Sequence, residues 1–428
     1  MRNSLSFTPP DLQEARLEAV RHRYVFYIPG YDPEARTRYR LLFVREWARY
    51  TKRFDGGRRT VSCAQLSENG LVQSWAVSAP EQGDGAETRY DVLLWDDIVA
   101  ADFARSRFLS VALLIAGTAH MIVSGLLFRF YRLSWKYGNV ILYPFVMVIL
   151  LTALSVAIGV GVHAHLGDWF GHSLGWPLWI SLPLGVVAGV AWIKLIEAFL
   201  NRIFFWQLLN DWVFNWQHGQ GWRPDYERRL DAFAGHVLSA LAARTETGQP
   251  TDEVMIVGHS SGGLTAVEVA ARLLARDASI GASGASLSLV TLGSGLPLVA
   301  MQPAAASLRA EIARLVTERR VVWCDFHAPQ DWMNFPGFNP LRDLKLRLCG
   351  QQPVANPLVR SARFRDLLCP ETYRRVRFRP FRMHFQFLLA NERPGAYDFF
   401  AMTLGPRRLR EQVLAPVACR EREPALLL

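Results

Sequence analysis

Apolar and polar positions divide the chain into two kinds of territory. Between about residues 108 and 200 the apolar residues run almost without a break. Phe108–Phe128, Val140–Val162 and Trp176–Ile193 are stretches of 21, 23 and 18 residues with no Asp, Glu, Lys or Arg. A helix needs about 20 such residues to span a bilayer. The pattern therefore predicts a helical, membrane-embedded insertion over residues 107–200. One such stretch would also suit a long buried helix; three in succession do not.

On either side, short apolar runs alternate with amphipathic ones. Tyr24–Ile28, Thr60–Ser62, Leu71–Val77, Tyr90–Trp95, Val254–Val257, Ser286–Leu292 and Val321–Phe326 predict strands. Thr37–Phe54, Tyr226–Ala242 and Ala304–Thr317 predict helices. In the second of these, Leu230, Phe233, Val237 and Leu241 share one face. Strands alternating with helices predict an α/β class with a mostly parallel sheet and helices on both faces. Residues 1–106 and 201–405 read as two parts of one α/β domain. The charged, Pro-containing residues 406–428 read as a loose tail. The aromatic segment with Phe204, Phe205, Trp206, Trp212, Phe214 and Trp216 suits the lipid headgroup region, or equally a helix packed under the domain.

If Tyr24–Ile28 and Val254–Val257 belong to one sheet, both ends of the apolar block lie on one side of the membrane, and the number of crossings is even. Arg105 and Arg107 precede the first stretch. Arg129, Arg132 and Lys136 separate the first from the second, and Lys194 and Arg202 follow the third. The connection His163–Gly175 carries no Lys or Arg. The positive-inside rule then makes the second and third stretches the crossing hairpin and leaves the first re-entrant or interfacial. The expectation is an integral membrane protein of the bacterial inner-membrane kind, with its α/β domain facing the cytoplasm.

A net charge of +10, almost all of it arginine, points to an anionic partner. No nucleic-acid motif appears, so the expected partner is the lipid bilayer. Cys63, Cys324, Cys349, Cys369 and Cys419 are odd in number and lack C-x-x-C spacing, which argues against a disulfide framework or zinc site. The first twenty residues hold no apolar run, so no secretory signal is expected. His163, His165, Asp168 and His172 fall within ten residues but match no metal-ligand spacing, and a polar interhelical loop is the expectation.

The chemistry centres on Gly258-His259-Ser260-Ser261-Gly262-Gly263. It follows the apolar run Val254–Val257 and precedes a helical pattern with Leu264, Val267, Ala271 and Leu274 on one face. Strand, sharp turn, helix is the setting in which G-x-S-x-G presents a nucleophile. A serine hydroxyl needs a base, itself oriented by a carboxylate. Downstream of Ser260 only His327 and His384 remain, and His384 is the expected base. Asp331 lies in the loop after Val321–Phe326, where ligand-binding residues collect in open α/β sheets. It is the expected acid, with Asp325, inside the strand, as the alternative. The backbone N–H groups of Ser261 and of Tyr31, in the Ile28-Pro29-Gly30-Tyr31 turn, are the expected oxyanion donors. Trp95-Asp96-Asp97 reads as a strand end whose carboxylates cap or face the site.

Taken together, the chain resembles α/β-hydrolase-fold serine hydrolases of the lipase/esterase kind, on the early Pro29-Gly30-Tyr31 turn, the Gly258–Gly262 elbow, and Asp331 and His384 in that order. The resemblance implies cleavage of a carboxylic ester with an apolar, lipidic acyl group, through an acyl-serine and without a cofactor or metal. An acyltransferase using the same serine, or a non-catalytic membrane scaffold, would fit the same pattern.

Overall fold

The structure is a computed structural model that describes residues 19–54, 57–81, 84–249, 251–348 and 353–414. Eight strands form one sheet: β1 (His22–Ile28), β2 (Gln65–Leu66), β3 (Val72–Val77), β4 (Glu87–Leu93), β5 (Glu253–His259), β6 (Ser286–Leu292), β7 (Val321–His327) and β8 (Leu358–Ser361). Their order across the sheet is β2-β3-β4-β1-β5-β6-β7-β8. β2 and β3 are antiparallel to their neighbours, and the rest are parallel. β1 sits between β4 and β5, with Tyr24 opposite Val254 and Ile28 opposite Gly258. The strands before and after the apolar block thus share one sheet, and their near-continuous burial follows from cover on both faces.

One face is covered by α1 (Ala35–Phe54) and by the C-terminal segment from Phe364 to Val413. Between β4 and β5 the chain forms α2 (Asp96–Phe103), α3 (Arg107–Val123), α4 (Leu126–Leu133), α5 (Trp135–Leu174), α6 (Leu182–Leu195), α7 (Glu197–Arg202), α8 (Phe205–Gly219) and α9 (Pro224–Glu246). α8, α9 and α10 (Ser261–Arg276), with the helix Ala306–Thr317, cover the other face.

Two helical segments are long and apolar enough to cross a membrane: Trp135–Leu174, with mean hydropathy 2.6, and Leu178–Arg202, with 1.8. They pack closely because small residues meet at the crossing. A methyl group on Gly159 would press the Gly185 carbonyl at 2.9 Å, and one on Gly189 would press the Ser155 carbonyl at 2.6 Å. Trp192 Nε1 donates to Ser155 Oγ at 2.8 Å. At 40 residues α5 is about 60 Å long, twice the hydrocarbon thickness of roughly 30 Å. Its first turns belong to the α/β domain, where Tyr137, Ile141 and Pro144 are buried.

The first apolar stretch behaves differently. It breaks at Gly125, which adopts φ 69°, into α3 and α4. Ser110, Leu114, Gly117, Thr118 and Met121 of α3 are buried, and Gly117 lets α3 approach the Trp216 ring of α8. This stretch is therefore partly buried against α8. α8 settles the aromatic segment: Phe205, Trp206, Trp212, Phe214 and Trp216 are buried beneath the sheet.

Two expectations are corrected, and two short strands were not foreseen. Thr60–Ser62 makes only one isolated bridge, Val61 to Val77, because its register on β3 is offset by one residue from that of β2, where Gln65 lies opposite Ser74. Edge strands β2 and β8 are too short for a hydrophobic period to reveal. Residues 406–414, read as part of a loose tail, pack on the domain. Arg23 and Glu253, both fully buried, pair at 2.8 Å. Arg23 also donates to the carbonyls of Gly405 and Arg407, and Glu253 accepts from Leu409 N–H. This holds the helix Leu409–Leu414 on the sheet. Residues 415–428, with Cys419, and Cys349 lie outside the described residues.

Candidate active site

The β5–α10 turn is so tight that its glycines admit no side chain. A methyl group on Gly258 would collide with the Gly262 carbonyl, and one on Gly262 with the carbonyls of Ile28 and Pro29. Ser260 takes φ 60°, ψ −128°, a conformation that costs a non-glycine residue about 1–3 kcal/mol. The turn is fixed on both sides. Ser260 N–H donates to Leu292 O at 2.9 Å, and Ser260 O accepts from Gly263 and Gly295 N–H at 2.9 and 3.1 Å. Ser260 is left partly exposed at the end of an otherwise buried strand.

His384 ends the short helix Pro380–His384. Its Nδ1 lies 2.7 Å from Asp331 Oδ2, with both side chains buried. Asp331 Oδ1 accepts from Met333 N–H at 2.9 Å, which fixes the carboxylate plane. An ionised carboxylate only accepts, so Nδ1 is the donor in this pair. Nε2 makes no hydrogen bond among the described residues. Ser260 and His384 line the same cavity, of about 1000 Å³.

The acid-bearing loop is braced by the start of α5. Lys136 Nζ donates to Pro329 O at 2.7 Å, and the Tyr137 and Phe335 rings lie 4.4 Å apart. Asp325 is elsewhere: it accepts from Thr291 Oγ1 at 2.6 Å inside the sheet, and burial raises its carboxyl to about 6. His327 shares a small separate pocket with Asp325. The structure thus brings Asp331, not Asp325, to His384.

The Gly30–Tyr31 turn runs directly against Ser260. A methyl group on Gly30 would sit 3.0 Å from Ser260 Cβ. The Tyr31 hydroxyl donates to Asp102 Oδ2 at 2.9 Å, the Tyr31 carbonyl accepts from the Gln207 amide, and Trp95 Nε1 donates to Pro29 O at 3.0 Å. Neither Tyr31 N–H nor Ser261 N–H, the latter in the first turn of α10, has an acceptor among the described residues. Asp96 and Asp97 face away from this chemistry, toward Arg36 and Arg229.

Two residues were not foreseen. His259 Nε2 lies 3.1 Å from the His384 carbonyl. Burial, then the charge of His384, holds His259 well below the usual imidazole range, so it is neutral and donates. Asp211 of α8 lines the cavity; its Oδ1 accepts from Ser261 Oγ at 2.9 Å and Asn215 Nδ2 at 3.1 Å. Burial pushes its carboxyl from 3.8 to about 6, against the opposing hydrogen bonds from Ser261 and Asn215 and the pull of His384. The signal in the sequence was a lone acid among the buried aromatic residues of α8.

Of the groups that metals favour, His163 meets Ser181 and His172 meets the Asp168 carbonyl, each locally. His218, Glu227 and Glu268 do converge, with their ligand atoms within 4.8 Å. Arg272 already occupies the Glu227 side of that group as its ion-pair partner. Comparison with protein-family models, curated proteins and solved structures finds no match to this chain.

Proposed function

We propose that this protein is a membrane-anchored serine hydrolase of the α/β-hydrolase kind that cleaves a carboxylic ester of an apolar acyl group. One observation carries the reading: a buried Asp331–His384 pair, whose Nε2 makes no hydrogen bond among the described residues, lines the cavity that holds Ser260 in its strained turn. Strain of this kind persists where surrounding structure over-determines it, and it clusters at functional sites.

In this mechanism Ser260 Oγ bonds to the ester carbonyl carbon while its proton passes to His384 Nε2. The carbonyl oxygen, now an oxyanion, takes hydrogen bonds from the Tyr31 and Ser261 amides. Collapse breaks the carbon–alkoxy bond, and His384 delivers its proton to the departing alcohol. Water then adds to the acyl-serine by the same route, releasing the carboxylic acid and restoring Ser260. Asp331 keeps Nδ1 protonated and stabilises the imidazolium as it forms. The Ser260–His384 hydrogen bond of this mechanism forms as substrate binds, since such bonds often tighten only in the substrate complex.

The two apolar helical segments serve as the anchor. By the arginine and lysine placement, the domain faces the cytoplasm. Hydrolysis of p-nitrophenyl esters of graded acyl length, in detergent, tests the reading. Turnover that Ser260→Ala abolishes is the expected result; equal turnover in wild type and variant would defeat it.

A further inference from the structure

The cavity has a charged mouth that ester cleavage does not require. Along α1, Arg45 and Arg49 line it, and Arg382 lines it from the short helix that carries His384. Glu46 Oε1 accepts from Arg45 Nε at 3.0 Å and from Arg49 Nη1 at 2.8 Å. The other Glu46 oxygen accepts from Ala390 N–H at 3.3 Å. One buried carboxylate therefore fixes two guanidinium groups whose side chains stay 59 % and 54 % exposed. Arg382 is half-buried and donates to Gln386 Oε1 at 2.9 Å. It has no carboxylate within ion-pair reach among the described residues. Three guanidinium groups thus line one cavity, two of them sharing the single Glu46 carboxylate. Burial, with Arg49 and Arg45 beside it, lowers the affinity of Arg382 for its proton, while Glu46 and Glu392 oppose this. A bound anion would relieve that repulsion.

Other lining residues say where the anion comes from. Asn201, Phe204 and Trp206 line the cavity where the apolar segment Leu178–Arg202 ends. Phe204 stacks on Phe381, the residue before Arg382, with ring centroids 3.6 Å apart. Leu41, Leu42 and Leu208 supply apolar lining. The end of a membrane-crossing helix is headgroup level, and guanidinium groups suit phosphate oxygens through paired hydrogen bonds.

We propose that Arg45, Arg49 and Arg382 form a subsite for the phosphate of a glycerophospholipid, whose acyl ester is the one presented to Ser260. The phosphate subsite stands on the mouth alone; delivery to Ser260 rests on the serine-hydrolase reading.

The test compares kcat/KM for dihexanoyl phosphatidylglycerol and for dihexanoylglycerol, which share the acyl ester but not the phosphate. Wild type should prefer the phospholipid. In Arg382→Gln and in Arg45→Gln/Arg49→Gln the ratio of the two should fall about tenfold or more, as for loss of a charge-assisted hydrogen bond. An unchanged ratio overturns the subsite. Equilibrium binding of the same phospholipid to Ser260→Ala, followed by tryptophan fluorescence, separates binding from chemistry. Binding that weakens about tenfold on adding Arg382→Gln supports the subsite even if no ester is cleaved; equal binding overturns it. Butyryl coenzyme A carries phosphate without a bilayer source. Tighter binding of it than of the phospholipid would overturn the lipid assignment.

Discussion

Replacing Asp211 by Asn should stabilise the protein, and only where pH leaves the aspartate ionised. Asn keeps an oxygen to accept from Ser261 and Asn215 and removes the titration. The folded-state carboxyl titrates at about 6, above its ordinary 3.8, chiefly because burial disfavours the anion. The folded state therefore holds this proton more tightly than the unfolded chain does. The resulting stability is fully present below about pH 4 and is lost as pH rises through 6. The difference between 3.8 and about 6 corresponds to about 3 kcal/mol. That is an upper bound, because Asp211 keeps some exposure to the cavity. Asp325 and Asp398, each near 6, and Glu311, near 7, shift in the same direction but are common to both proteins, so they cancel in the comparison. The assay is unfolding of the detergent-solubilised protein, followed by tryptophan fluorescence at pH 4, 5, 6, 7 and 8. The stability of Asp211→Asn relative to wild type should grow with pH and level off near 8. A difference independent of pH, or one that shrinks as pH rises, would refute the reasoning.

Three further outcomes follow. Asp331→Asn should lower kcat by on the order of 10³–10⁴-fold, because the imidazole loses its orienting carboxylate, whereas Asp325→Asn should leave ester turnover within a few-fold; the reverse ranking would move the acid to β7. Reporter fusions at Ser134 and Gly171 should report opposite sides of the membrane, and a shared side would remove α5 as a crossing helix. Arg23→Met should cost about 3–5 kcal/mol, since it leaves Glu253 buried without its cation; denaturant unfolding monitored near neutral pH measures this, and a loss under 1 kcal/mol would show that the pair does not hold the C-terminal segment.

What was readable in the sequence followed from short-range rules. Buried parallel strands such as β5 and β6 appear as unbroken apolar runs, so they and the turn at Ser260 were legible. The elements around Asp331 and His384 were placed by their order along the chain. The remainder depends on contacts between distant segments. Asp211 lies 50 positions before Ser261 and meets it only because α8 returns under the sheet. Arg45 and Arg382 share a cavity through the folding of the C-terminal segment over α1. The first apolar stretch has the length of a span, but Gly125 breaks it and Gly117 brings it against Trp216 of α8. The packing of residues 406–414 is explained by Arg23 and Glu253, whose pairing no local pattern shows.

The central claim is that Ser260 is a nucleophile activated by His384. Reaction of the detergent-solubilised protein with a fluorophosphonate probe, followed by peptide mass spectrometry, tests it most directly. The account predicts one adduct, on Ser260, that is absent from Ser260→Ala and strongly slowed in His384→Ala. Equal labelling of wild type and Ser260→Ala, or no labelling of wild type, would contradict it.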